Sequence, residues 1–132
     1  MPVPSLPRVL IAEDQPLTRW AVGHALEPLG YEVHFAGTEH ETREKLREPF
    51  SVVIAACPLE DQDLRGLLQE VLSGHRHPSS LVVLCETADA PGLHRDLPGA
   101  IVVERPFSVL HLASLVQSIR EGKAGPGSLQ AD

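Results

Sequence analysis

The sequence predicts an α/β fold: a doubly wound parallel sheet of five strands, with helices on both faces. Three observations carry this. Short apolar runs alternate with amphipathic stretches along the whole chain, and the connections between them are brief. Four of the five runs are apolar at consecutive positions, as strands covered on both faces must be. The stretches between them repeat their apolar residues at helical rather than strand spacing.

The elements follow in order. Residues 8–12 (RVLIA) form the first buried strand. Asp14-Gln15-Pro16 then opens a helix, with an acid in the cap region and a proline where its missing N–H is harmless. Leu17, Trp20, Ala21, His24, Ala25 and Leu29 recur at helical spacing, which predicts their stripe as the packing face. Gly30 closes the helix as a left-handed cap. YEVHFA (31–36) alternates, so its strand belongs at a sheet edge. The polar stretch 38–48 predicts a solvated helix packing through Thr42 and Leu46. FSVVIA (50–55) is the next buried strand. Leu64, Leu67, Leu68, Val71 and Leu72 make an amphipathic stripe ended by Gly74. LVVLC (81–85) and AIVV (100–103) are two further buried strands. Between them, Pro91, Gly92 and Pro98 shorten or break the fourth helix. Ser108 caps the last helix, whose apolar face is Val109, Leu112, Ala113, Leu115, Val116 and Ile119. Residues 7–121 thus form one domain, and the Gly/Ser/Pro-rich 122–132 reads as a flexible tail or the start of a linker.

Composition narrows the function classes. The chain has 132 residues, enough for one domain with its own core. Its formal net charge is -7, and its 11 lysines and arginines are scattered among acids, so no nucleic-acid footprint exists. Cys57 and Cys85 sit in or beside apolar runs without a short-spaced partner, which fits free thiols in a reducing compartment. His75-Arg76-His77 and the other histidines lack metal-ligand spacing. No apolar stretch suits a signal peptide or a membrane span, so a cytoplasmic chain is the expectation.

A strand order of 2-1-3-4-5 places strands one and three side by side. Ligands of such sheets bind beyond the strands' carboxyl ends, where the order reverses. That edge collects Glu13-Asp14, Ala56-Cys57, Cys85-Glu86-Thr87 and Glu104-Arg105-Pro106.

These groups and their order resemble the receiver domains of two-component response regulators, over about residues 7–120. The pieces are Glu13-Asp14 after strand one, Pro16-Leu17 opening the helix, Leu29-Gly30-Tyr31 before strand two, and Arg105-Pro106-Phe107 after strand five. The opening is most like receivers of nitrogen-regulator-type activators. The resemblance implies a flavodoxin-like fold and a phosphorylation site needing four things. Two acids hold Mg²⁺, and an aspartate after strand three accepts the phosphoryl group. A Ser or Thr after strand four and a Lys before proline after strand five bind its oxygens. Carried over, only Glu13 and Asp14 match. The acceptor position falls on Ala56, the hydroxyl position on Cys85 and the lysine position on Arg105; the aromatic position in strand five falls on Val102 or a neighbour.

An alanine has no nucleophile, so the resemblance implies a degenerate receiver, or pseudo-receiver, with no catalytic residue and no cofactor. Glu13 and Asp14 would then form a weak Mg²⁺ site at best. Arg105 is the available counter-charge and is expected to pair with one of them. The family also makes a cis Arg105–Pro106 bond the expectation. The implied role is protein–protein interaction in two-component-type signalling, with a protein partner or a second copy of the chain, and no direct contact with nucleic acid or membrane. Two alternatives stand beside it. A displaced acceptor, Asp61 or Asp63, would restore phosphorelay chemistry, although moving Asp61 to the strand end would bury Pro58 inside a central strand. Cys57 and Cys85, following adjacent strands, would make a thiol redox sensor.

Overall fold

The computed structural model describes residues 6–56, 62–73, 80–122 and 127–129. The first buried run forms β1 (Arg8–Ala12), followed by α1 (Pro16–Leu26) and a single 3-10 turn, Glu27–Leu29. Gly30 closes that turn with φ 91°, the left-handed geometry that only glycine adopts without strain. The edge strand β2 (Glu32–Ala36) and the short α2 (Glu39–Lys45) come next, then β3 (Val52–Ala56), α3 (Gln62–Ser73) and β4 (Ser80–Cys85). A 3-10 turn, Thr87–Asp89, leads into α4 (Ala90–Asp96), β5 (Ile101–Glu104), α5 (Val109–Arg120) and β6 (Gly127–Leu129).

All strand pairs are parallel, and the order is β2-β1-β3-β4-β5-β6. The flavodoxin-like 2-1-3-4-5 arrangement is therefore present, with one strand added. That sixth strand falls within 122–132, the stretch read as a flexible tail or the start of a linker: Gly127–Leu129 runs beside Ile101–Val103. Glycine and serine have little strand preference of their own, but an open edge of unpaired backbone groups can recruit them.

Because side chains alternate along each strand, one sheet feeds two cores. Val9, Ile11, Val52, Ile54, Val82 and Leu84 pack with Val22 and Leu26 of α1 and Leu112 and Val116 of α5. Leu10, Val53, Leu81 and Val83 face the other way and pack with Leu68 of α3 and Leu93 of α4. The two cores explain why the strands read as continuous apolar runs.

Capping follows the side chains available. Thr38 accepts the Glu41 N–H at 3.1 Å to start α2, and Ser108 accepts the His111 N–H at 3.4 Å to start α5. Thr42 is buried and Leu46 half-buried, as their spacing predicts. Pro91 and Gly92 occupy the first turn of α4, which is seven residues long.

The packing face of α1 is another correction. Val22, Gly23 and Leu26 are its buried residues, whereas Leu17 is 84% and Trp20 63% exposed. The larger side chains advertise one stripe, but the exit from β1 turns the other toward the sheet. Cys57, Asp61, Gly74 and His75-Arg76-His77 lie outside the described residues, as do the side chains of Asp63 and Leu64.

Candidate functional site at the carboxyl edge of the sheet

Each candidate residue owes its place to a strand ending. The β1–β3 register pairs Ala12 with Ala55, so the next residues, Glu13 and Ala56, emerge at the same level on neighbouring strands. Glu13 is held there by its own backbone, whose N–H donates to the Ala36 carbonyl at 3.0 Å. Arg19 of α1 donates to the Glu13 carbonyl at 3.1 Å. Beside them opens a cavity of about 280 Å³. Ala12, Ala36, Ala55 and Ala56 line it together with Glu13 and Asp14. Four methyl-bearing residues at the ends of three adjacent strands leave the space, since no large side chain is present to fill it.

Glu13 is buried, with its side chain 2% exposed, whereas Asp14 points outward. Both Glu13 oxygens are engaged. Oε1 accepts the Gln15 N–H at 2.9 Å, and Oε2 accepts from Arg105 Nη2 at 3.3 Å. Burial pushes the Glu13 carboxyl above the ordinary carboxylate range; the Gln15 N–H and the Arg105 charge pull against it, and neighbouring Asp14 adds to the rise.

Arg105 approaches from the far side. Its backbone N–H donates to the Cys85 carbonyl at 2.8 Å, and its peptide bond to Pro106 is cis, as the resemblance implies. Its other terminal nitrogen, Nη1, lies 3.5 Å from Glu86 Oε1. The expected pairing with the acidic pair therefore falls on Glu13, and Glu86 is a second partner. The strand pattern brings Glu86 to this edge without assigning it a role; a charge pair between the ends of two neighbouring strands has no local signal.

Cys85 is buried in the core cluster that includes Ala12 and Ala55. Its thiol pKa is pushed up to about 11, first by burial and then by Glu104. It offers neither a hydroxyl for a phosphoryl oxygen nor a thiolate. Thr87 heads the exposed 3-10 turn after it.

The fold implies a Mg²⁺ ion here, and the residues present do not fit one. Such an ion demands several hard oxygen ligands at near-octahedral angles. Ala56 supplies a methyl, and Glu13 has no unengaged oxygen. Among the described residues, no group of three acids, histidines or cysteines is arranged to hold a metal ion.

Comparison with solved structures places the fold. A response regulator from Thermotoga maritima superposes with a TM-score of 0.73 at 24% identity, covering 89% of this chain and 99% of its own. The chemotaxis response regulator CheY4 of Vibrio cholerae gives 0.71 at 23% identity, covering 87% and 99%. A CheY-like receiver domain protein from Methanospirillum hungatei gives 0.73 at 21% identity, covering 90% and 97%. No family model matches the sequence, and no curated protein matches it. The likeness establishes a receiver-like fold along nearly the whole chain. No described helix is long and apolar enough to cross a membrane.

Proposed function

We propose that this chain is a degenerate receiver, a protein–protein interaction module of two-component-type signalling that works without aspartyl phosphorylation. The receiver-like fold supports the general class. The observation that carries the specific reading is Ala56, level with Glu13 at the end of β3 and lining the same cavity. Acyl-phosphate formation needs a carboxylate oxygen at that point, and a methyl group has none. Cys85 and Arg105 also differ from the hydroxyl and the lysine that the resemblance implies at their positions, so three of the five positions depart from it. The partner is a protein: either another component of the pathway or a second copy of this chain.

The test is incubation with acetyl phosphate and Mg²⁺ followed by intact mass measurement. The expected result is no phosphoryl adduct. A stoichiometric adduct that disappears in Asp61→Asn or Asp63→Asn would instead establish a displaced acceptor and overturn the reading.

A further inference from the structure

The Glu13 carboxylate already holds a cation, and it is covalently part of the chain. We propose that the Arg105 guanidinium stands permanently where the fold calls for a divalent ion. It clamps the ends of β1, β4 and β5 in one conformation and keeps metal out. The proposal draws on the reading above only for the place of Ala56.

The geometry of the reach is the first argument. In the sheet order, β3 and β4 lie between β1 and β5. Three strand spacings amount to roughly 14 Å. Arg105 leaves the end of β5 and meets Glu13 at the end of β1, so a long arginine and a glutamate bridge that span together. The path passes the end of β3, where the residue is alanine. A carboxylate at position 56 would stand between the two and compete with Glu13 for the guanidinium.

The second argument is charge. A buried carboxylate must either take up a proton or have a counter-charge. Glu13 has one, in Arg105 Nη2 at 3.3 Å, and its remaining oxygen is satisfied by the Gln15 N–H. A metal entering here would have to share this carboxylate with the guanidinium, like charge beside like charge, and would gain only exposed Asp14 as a second acid.

The third argument is anchoring. Arg105 is tied to β4 twice, through its backbone N–H to the Cys85 carbonyl and through Nη1 to Glu86. Glu86 is well exposed, so that contact steers the guanidinium more than it stabilises it. The fork therefore links strand ends that a ligand-dependent site would join only when its ligand is bound. An arginine is charged at every relevant pH, so the guanidinium end of this link does not titrate.

The experiment uses the full chain and measures the thermal midpoint with EDTA and with millimolar Mg²⁺, together with Mn²⁺ broadening of amide resonances near Glu13. Wild type and Ala56→Asp are expected to show no Mg²⁺-dependent rise. Ala56→Asp/Arg105→Ala is expected to show one, with Mn²⁺ affinity at least about tenfold tighter than in Ala56→Asp, because a freed carboxylate becomes a ligand. If that double variant fails to fold, Ala56→Asp/Arg105→Lys serves in its place, since a lysine cannot fork between two acids. The proposal is overturned if wild type is stabilised by Mg²⁺, if Ala56→Asp gains as much as the folded double variant, or if neither gains anything. Phosphoryl labelling of wild type without Mg²⁺-dependent stability would sink the functional reading and leave this one standing.

Discussion

Gly23 on α1 lies directly under the ring of Phe35 on β2: a Cβ at position 23 would stand 2.7 Å from Phe35 Cζ. The missing side chain is what allows the first helix to approach the edge of the sheet so closely. Gly23 also lies on the face that α1 turns toward the sheet. With Val22, Gly23 and Leu26 turned inward, Leu17 and Trp20 must turn outward.

Substitution at Gly23 weighs two effects of similar size. Alanine raises helix propensity by up to about 1 kcal/mol over glycine. Against this, the Phe35 ring must move, and at 40% exposed it has room to swing outward. Gly23→Ala is therefore expected to change stability by less than ~1 kcal/mol in denaturant unfolding, while shifting the Phe35 ring resonances. Gly23→Leu has no such escape and is expected to destabilise by roughly 1–3 kcal/mol. Equal, negligible effects of both substitutions would show that the helix does not rest on this ring.

Trp20 gives a direct check of the same orientation. It is the chain's single tryptophan, 63% exposed, and its indole stacks on the His24 ring with centroids 4.9 Å apart. Its fluorescence is expected to resemble that of indole in water and to be quenched readily by iodide. Trp20→Ala is expected to alter stability by no more than about 0.5 kcal/mol, as surface substitutions usually do. A blue-shifted, protected emission would return Trp20 to the core. A partner that docks on this helix would shield the indole from iodide, so one probe reports both orientation and occupancy.

The contrast between strands and helix faces has a physical origin. A parallel strand covered on both sides is apolar at every position, so runs such as LVVLC identify themselves without reference to anything distant. The stripe on α1 is a different problem. Two sets of apolar residues at i, i+4 spacing coexist there, and the choice between them depends on how the chain leaves β1. The strand order already collects Ala56, Cys85 and Arg105 at one edge, and the resemblance of their flanking motifs to receivers says what each position would hold. Their chemistry argued against function at those positions, and position alone singled them out. Glu86 and the strand at Gly127–Leu129 were hidden for one shared reason: each depends on a partner far away in sequence, and neither carries a strong local preference.

Cys85 should behave as a core residue, with a predictable effect at alkaline pH. In the folded chain its thiol pKa is pushed up to about 11, whereas the ordinary value is 9.0. The folded state thus keeps a proton that the unfolded state gives up, and stability falls as pH rises from about 9 to 11. Below pH 9 the contribution is fully present and constant. Cys85→Ala is expected to flatten the pH dependence in that window while losing some packing. Native Cys85, identified by mapping the labelled peptide, should resist iodoacetamide at neutral pH and react once the chain is unfolded. Rapid labelling of Cys85 in the folded chain would contradict the burial and revive a redox role.

The added strand invites the last test. Gly127, Ser128 and Leu129 run parallel to Ile101, Val102 and Val103, closing the edge that a five-stranded sheet would leave open on β5. Three residues of parallel pairing is little, since each ordered residue costs about 1–2 kcal/mol of backbone entropy and each hydrogen bond returns about 0.5–1.5 kcal/mol. The strand should therefore open often and protect β5 only partly. Gly127→Pro/Ser128→Pro removes two successive N–H groups, one of which must face β5, so it should release the strand without removing a large side chain. Hydrogen exchange is expected to accelerate at those β5 amides that face β6, while amides of β1 and β3 keep their rates. The thermal midpoint should move little, because the buried side chains of β5 pack with α4 and α5. An exposed β5 edge also gives a second chain a place to pair, so the variant is expected to associate more strongly than wild type at high concentration in sedimentation experiments. Unchanged exchange at every β5 amide would mean that the tail does not close this edge in solution.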